Sequence, residues 1–255
     1  MYLTIDAGNS NIVTIVYDEN RKIVFKDRLA SLRERDKSYY AEYYQHLLDN
    51  LIGTIEITVL SSVVPNITDM LVELLTDLFQ CPVINVNTDT VDIRADLDNP
   101  RELGADFIAG AVAAVAQYHQ PTIIIDMGTA NKISVIDKPL TILGGIIQPG
   151  IEEMAEILHQ HIPHLPKIEL VVPKKYMGSN TMECIQSGIM HGALLSLIGL
   201  AKEVEKEVGR PCQTVLTGGY INLYKDLHGY EYNPDLINEG LLEIALKEYS
   251  NGKPE

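Results

Sequence analysis

Two segments of the chain carry an aspartate two residues before a glycine, directly after an apolar run. The segment "MYLTIDAGNSNIVTIV" holds Asp6 and Gly8, and "TIIIDMGTANKISVI" holds Asp126 and Gly128. A glycine directly after a strand lets backbone N–H groups approach a phosphate closely. The carboxylates would repel a phosphate unless a cation or its water lay between them, and hard cations favour carboxylate oxygens. Each segment therefore predicts a turn that binds phosphate with a cation nearby.

The side chains that follow the two aspartates fit the same chemistry. Asn9, Ser10 and Thr129 carry amide or hydroxyl donors suited to phosphate oxygens. A single Asp-x-Gly turn occurs in many hairpins. Two such turns in register, together with a later small-residue turn "TGG", favour nucleotide binding, with a triphosphate held from both sides.

The two segments belong to a longer internal repeat. Asp126 lies 120 positions after Asp6 (126 − 6 = 120). At this offset the matched pairs are Ile5 with Ile125, Gly8 with Gly128, Asn11 with Asn131 and Thr14 with Ser134. A β-branched run that ends in small residues also recurs, at 57–65 and at 214–220. Two copies at so long a period do not make a solenoid, so we predict a duplicated α/β domain with halves 1–117 and 118–255.

Patterning along the chain predicts the elements that position these turns. The predicted strands are 2–6, 11–17, 22–28, 122–126, 131–137, 140–147 and 213–217, and the predicted helices are 36–50, 67–79, 102–118 and 235–248. A further long helix begins near "SNTMECIQSG", where Asn180 is the predicted N-cap. Glu183, three residues later, would complete a capping box.

Composition and charge narrow the class of protein. The chain has 255 residues, a net charge of −15 and an isoelectric point near 4.8. Such a surface disfavours nucleic acid, whose binding depends on Lys and Arg at phosphates, but still allows small anions in a locally positive site. Cys81, Cys184 and Cys212 are widely spaced and suit a reducing compartment. We expect a cytoplasmic protein that binds neither nucleic acid nor membrane.

The order of motifs resembles one known family. "DAGNS", "DNPRELGADF", "DMGTA", "GGIIQPG", "LPKIEL", "GSNTMECIQSG" and "TGG" follow the order of type III pantothenate kinases over about residues 2–220. That family belongs to the acetate kinase, sugar kinase, Hsp70 and actin superfamily. The resemblance implies duplicated actin-like (ribonuclease H-like) α/β domains with a nucleotide cleft between them. It also implies ATP-dependent phosphorylation of the primary hydroxyl of pantothenate, the first step of coenzyme A synthesis, by a homodimer.

The resemblance also assigns roles by position. Asp106 would be the general base, and Asp126 would bind a monovalent cation, potassium or ammonium, alongside ATP with Mg²⁺. The implied ATP-binding residues are Asp6, Ala7, Gly8, Asn9, Ser10, Asn11, Gly128 and Thr129. The implied substrate-binding residues are Leu97, Gly104, Ala105, Asp106, Phe107 and Thr181. Without the resemblance, we would interpret Asp106 and Thr181 as ordinary residues at the N-terminus of a helix.

Four residues at three places depart from the family pattern. Phe107 stands where the family has arginine, Leu97 where it has tyrosine, and Asn131-Lys132 where it has Thr-Thr. Loss of an arginine contact to a carboxylate is worth about 1.5–3 kcal/mol, and Lys132 could restore a positive charge nearby. Two alternatives therefore stay open: a catalytically weakened regulatory paralogue that binds nucleotide, and a kinase for a related hydroxylated acceptor.

Overall fold

The structure is a computed structural model that describes residues 1–31, 36–224 and 229–251. It contains two compact units. Unit 1 comprises Met1–Gln117, Pro139–Thr141 and Asp235–Glu255, and unit 2 comprises Tyr118–Lys138 and Ile142–Pro234. These units are defined by contacts, whereas the halves 1–117 and 118–255 are defined by the sequence repeat and stay a prediction.

The strands and helices alternate along the chain. The strands are β1 (Tyr2–Ala7), β2 (Asn11–Tyr17), β3 (Ile23–Ala30), β4 (Ile57–Ser62), β5 (Val83–Asn85), β6 (Arg94–Ala95), β7 (Thr122–Met127), β8 (Ala130–Asp137), β9 (Thr141–Pro149), β10 (Gln213–Thr217) and β11 (Glu231–Tyr232). The helices are α1 (Lys37–Asn50), α2 (Pro65–Phe79), α3 (Ala105–Gln117), α4 (Ile151–His161), α5 (Thr181–Gln186), α6 (Gly192–Val208) and α7 (Leu236–Asn251). Every predicted element is present, with ends shifted by at most three residues.

The sheet of unit 1 has the strand order β3-β2-β1-β4-β5. Strand β1 runs antiparallel to β2 and parallel to β4. Its alternate side chains enter two different cores, as the pleat of a strand requires. Leu3 and Ile5 pack in a cluster with Tyr40 of α1 and Leu71 of α2. The opposite face of the sheet packs in a second cluster that includes Ile108 of α3.

Helix α7 completes that second face although it comes from the end of the chain. Its Leu241 is fully buried in the cluster with Ile108. A Cβ atom at Gly240 would overlap the carbonyl oxygen of Ala109, so the glycine allows α7 to lie directly on α3. The hydroxyl of Thr4 donates to Asn238 Oδ1 at 2.9 Å in the interior. The C-terminal helix is therefore an integral part of the core of unit 1.

The sheet of unit 2 repeats this arrangement. The strands within unit 2 follow the order β11-β10-β7-β8-β9, with β7 antiparallel to β8 and parallel to β10. This is the order of β5-β4-β1-β2-β3 in unit 1, and β11-β10-β7-β8 have the same pairing directions as β5-β4-β1-β2. The predicted mixed α/β class is confirmed.

The register of the repeat differs from the prediction by one residue after the turn. The burial patterns of β1 and β7 are identical when residues 120 positions apart are compared. The burial patterns of β2 and β8 agree when residues 119 positions apart are compared. Accordingly Thr14 is opposite Ile5, but Ser134 is opposite Ile124. The predicted matches of Asn11 with Asn131 and Thr14 with Ser134 are wrong, because the second turn is one residue shorter than the first.

A long helical segment runs from Thr181 to Val208 through α5, a π-helical turn and α6. Asn180 Oδ1 accepts from the Glu183 N–H at 3.0 Å, which confirms the predicted N-cap. The Glu183 carboxylate accepts from the N–H of Ser179, one residue before the cap, at 2.8 Å. By length and composition this segment could cross a membrane, but a core helix passes the same test. Its Leu197 is fully buried in the core of unit 2.

Candidate active site

The first phosphate turn, residues 8–10, connects β1 to β2 in unit 1. The Gly8 N–H donates to the Asn11 carbonyl at 2.9 Å, and this closes the turn. Asn9 and Ser10 are exposed at its tip, directly after the buried Ala7. The turn thus presents the residues predicted to bind ATP, next to one another on the surface of unit 1.

Asp6 is held at the base of this turn by the neighbouring strand. Its register partner on β4 is Ser61, whose hydroxyl donates to Asp6 Oδ1 at 3.1 Å. A donated hydrogen bond favours the charged carboxylate and fixes its direction. Sequence reasoning missed Ser61, although the small-residue end "SS" of this strand was a visible signal.

The second phosphate turn, residues 128–129, connects β7 to β8 in unit 2 and is backed by Gly150. The Gly150 N–H donates to the Thr129 carbonyl at 3.1 Å. A Cβ atom at Gly150 would lie 2.6 Å from the Gly128 carbonyl oxygen and would overlap that of Thr129. The φ of Gly150 is an ordinary −69°, so the position requires glycine for space rather than for backbone conformation. The last glycine of "GGIIQPG" therefore supports the predicted phosphate turn.

Asp126 is in contact with two groups of unit 2. The Lys132 Nζ atom lies 2.9 Å from Asp126 Oδ2, and the two side chains are 18% and 17% exposed. On the other side, a Cβ atom at Gly218 would overlap Asp126 Oδ1. Gly218 has a φ of +97°, a conformation that glycine adopts without strain. The "TGG" turn after β10 thus packs on the carboxylate, and Lys132 pairs with it.

Asp106 lies in the first turn of α3 in unit 1, where it is partly buried. Its Oδ1 atom accepts from the Phe107 N–H at 2.9 Å. A Cβ atom at Gly104 would lie 2.5 Å from the same oxygen, so glycine provides the space that the carboxylate occupies. The carboxylate is thus fixed at the N-terminus of α3.

The remaining predicted substrate residues are distributed over both units. Ala105 is buried at the start of α3, and Phe107 and Leu97 are partly buried in unit 1. Thr181 is exposed at the first position of α5 in unit 2. Next to it, the N–H and hydroxyl of Ser179 lower the pKa of Glu183 below its ordinary value. The structure therefore brings Gly104–Phe107 together through one helix start and places Thr181 at another.

Over residues 1–31, 36–224 and 229–251, no group of three or more His, Cys, Asp or Glu side chains is placed to hold a metal ion. Each phosphate turn contributes a single carboxylate, Asp6 or Asp126, within its own unit.

Comparison with solved structures supports the fold. A conserved Baf family protein from Campylobacter jejuni matches with a TM-score of 0.63 and 22% identity, over 98% of this chain and 99% of that one. The activator of the 2-hydroxyisocaproyl-CoA dehydratase from Clostridium difficile, with bound ADPNP, matches with a TM-score of 0.54 and 12% identity, over 100% and 98%. At these identities the likeness concerns the fold, which is that of actin-like kinases and ATPases.

Comparison of sequences identifies the family. The family model described as type III pantothenate kinase matches residues 2–203. A type III pantothenate kinase from Exiguobacterium sp. strain AT1b is 35% identical over 230 residues, which are 89% of this chain and 90% of the relative. The match includes both phosphate turns and Asp106, and this chain belongs to the type III pantothenate kinase family.

Proposed function

We propose that this chain transfers the γ-phosphate of ATP to the primary hydroxyl of pantothenate, the first step of coenzyme A biosynthesis. The observation that carries the proposal is Asp106. The family match over residues 2–203 spans this carboxylate, and α3 carries it in its first turn. The two phosphate turns, each built around a glycine, support the use of ATP.

One ATP molecule would contact both phosphate turns. In unit 1 the donors are the exposed side chains of Asn9 and Ser10 with the backbone of Asp6–Asn11. In unit 2 they are Thr129 and the backbone of Gly128. Mg²⁺ bound with the nucleotide would supply positive charge to the phosphate oxygens. Asp6, whose direction is set by the hydrogen bond from Ser61, would help to hold that metal.

Asp106 would act on the acceptor. Its carboxylate accepts the proton of the primary hydroxyl while the hydroxyl oxygen attacks the γ-phosphorus and ADP departs. Phosphoryl transfer depends mainly on positioning and on stabilisation of charge. One fixed carboxylate and the donors of the two turns are therefore sufficient protein groups for the chemistry.

The acceptor pocket would be formed by Leu97, the segment Gly104–Phe107 and Thr181. Phe107 has no hydrogen-bond donor in its side chain, and burial of a carboxylate beside it carries a desolvation cost. This residue favours a second candidate, a kinase whose acceptor lacks the carboxylate of pantothenate. The third candidate is a catalytically weakened regulatory paralogue, and Phe107 favours this candidate as well.

The assembly and location are also proposals. We infer a homodimer in the cytoplasm, with halves 1–117 and 118–255 descended from one duplicated domain. Ile147, Val171 and Leu195 of unit 2 are apolar side chains with 68%, 53% and 52% exposure, and such groups commonly lie at subunit contacts. Light scattering after gel filtration should give twice the 28.3 kDa of one chain, and the mass of one chain would contradict the dimer.

The test of function is an assay that couples ADP formation to a panel of acceptors. Purified protein is incubated with ATP, Mg²⁺ and either pantothenate or alcohols of the same length that lack the carboxylate. Phosphopantothenate, identified by mass spectrometry, would support the proposal. Phosphorylation of the uncharged alcohols alone would support the second candidate. ATP binding without turnover of any acceptor would support the regulatory one.

A further inference from the structure

We propose that the ammonium group of Lys132 permanently supplies the positive charge beside Asp126, so that phosphoryl transfer by this protein needs no potassium or ammonium ion. The inference concerns the site of the proposed function and rests on it. The ammonium replaces the soluble monovalent cation that the family resemblance implies at Asp126.

The geometry places a built-in cation at the carboxylate. Lys132 Nζ lies 2.9 Å from Asp126 Oδ2, a normal distance for a charge-assisted hydrogen bond. The two residues are directly opposite each other on β7 and β8. With less than a fifth of either side chain exposed, the pair is screened by solvent far less than a surface pair.

The residues present do not fit a second cation at the same place. Potassium takes the position of closest approach to a carboxylate oxygen, and the ammonium already occupies that position at Oδ2. The other oxygen, Oδ1, faces the backbone of Gly218 so closely that a Cβ atom there would overlap it. A lysine ammonium is a compact point charge, close in chemistry to the free ammonium ion. It can therefore neutralise Asp126 in the same way.

The short second turn explains why the lysine reaches this carboxylate. In unit 1 the residue opposite Asp6 is Val13, whereas the residue opposite Asp126 is Lys132. The family threonine at this position carries no charge, so it would leave Asp126 to be neutralised by an ion from solution. Because this register places Lys132 opposite Asp126, a side chain of the protein neutralises the carboxylate in place of an ion from solution.

The first experiment uses the wild-type protein and needs no substitution. Kinase activity and the ATP dissociation constant, by calorimetry, are measured in potassium, ammonium, sodium and tetramethylammonium buffers of equal ionic strength. We expect both quantities to agree within about twofold across the four buffers. Activity that appears only with potassium or ammonium would overturn the inference, and the buried Oε2 of Glu153, which has no hydrogen-bond partner among the described residues, would become the candidate ion ligand.

The second experiment replaces Lys132 by the family residue. In Lys132→Thr we expect the ATP dissociation constant in tetramethylammonium to rise at least roughly tenfold, as for loss of a contact to a charged group, and potassium to restore it. The matched control is Lys138→Thr, which removes an exposed lysine just after the same strand. In this variant we expect the ATP dissociation constant to stay independent of the cation. Circular dichroism and the melting temperature check that each variant folds.

The outcomes separate this inference from the proposed function. If no acceptor is phosphorylated in any buffer, the proposed function fails, yet the calorimetric comparison still decides whether ATP binding depends on the cation. If Lys132→Thr folds and stays independent of potassium, Lys132 has a structural role alone and the inference is wrong. If that variant does not fold, the wild-type buffer series decides.

Discussion

At the scale of single residues, the site depends on small groups that leave room for charged ones. Gly104 provides the space in which the Asp106 carboxylate lies, and Ser61 directs Asp6 by one hydrogen bond. Lys132 balances the charge of Asp126. Each carboxylate of the site thus contacts a near neighbour in its own unit.

Asp106→Asn tests the proposed base. The change keeps the shape of the side chain but removes the proton acceptor, and a positioned general base is worth ~10²–10⁴-fold. We expect kcat to fall within that range while the ATP dissociation constant stays the same. Asp92→Asn, at an exposed loop position of unit 1, is the control. Retention of most of the wild-type kcat would assign Asp106 a structural role.

Phe107→Arg tests the altered acceptor pocket. An arginine would add a donor group for the carboxylate of pantothenate, a contact worth about 1.5–3 kcal/mol. We expect KM for pantothenate to fall by roughly ten- to a hundredfold, with little change for uncharged acceptors. Lys132 pairs with Asp126, so we expect the arginine to add a contact that Lys132 does not supply. Tight pantothenate binding by the wild type and an unchanged KM in the variant would mean that the carboxylate is bound elsewhere.

At the scale of elements, close backbone contacts at two glycines fix the positions of neighbouring elements. Gly150 joins β9 to α4 and lies against the carbonyls of the second phosphate turn. Gly240 lets α7 lie on α3 at the carbonyl of Ala109. The first contact supports the site directly, and the second supports the helix that carries Asp106.

Gly150→Ala tests the support of the second turn. The added methyl group would overlap the Thr129 carbonyl, and overpacking of this kind costs typically ~1–3 kcal/mol. We expect a lower free energy of unfolding in urea and weaker ATP binding. The control is Gly199→Ala in the middle of α6, where no atom lies within 4 Å of the new Cβ. That change should stabilise the protein by about 0.5–1 kcal/mol, and equal effects of both variants would contradict the explanation.

At the scale of the whole molecule, the two units share one strand order, and the residues predicted to bind substrates are divided between them. Unit 1 carries Asp106 and the first turn, and unit 2 carries the second turn and Thr181. The net charge of −15 means that anionic substrates must be bound by local donors rather than by a generally positive surface. Both turns are therefore expected to contribute to the affinity for ATP.

Ser10→Ala and Thr129→Ala test whether one nucleotide uses both units. Each change removes a hydroxyl donor to a charged phosphate, so each should weaken ATP binding by roughly tenfold or more. The double variant should be weaker than either single variant in calorimetry. Ser196→Ala, at an exposed position of α6, is the control. If one of the two single variants binds ATP as the wild type does, ATP is held by one turn alone.

The sequence by itself determined the elements, the α/β class and the identity of the family. Apolar strands, turn residues and the Asn180 cap are local signals, and local signals are encoded in a few adjacent residues. The seven ordered motifs gave the family because their order survives even where single residues, such as Phe107, have changed. The candidate base and both phosphate turns were found in this way.

The tertiary structure alone decided the contacts between residues that are distant in sequence or offset by a turn. A one-residue difference in turn length moves every cross-strand partner, and this made Lys132 the partner of Asp126. The support of Asp6 by Ser61 and of Thr129 by Gly150 depends on strand pairing and on backbone approach. The addition of α7 to unit 1 depends on packing of apolar faces far apart in the chain. Such contacts follow from three-dimensional packing, which no local pattern of residue types specifies.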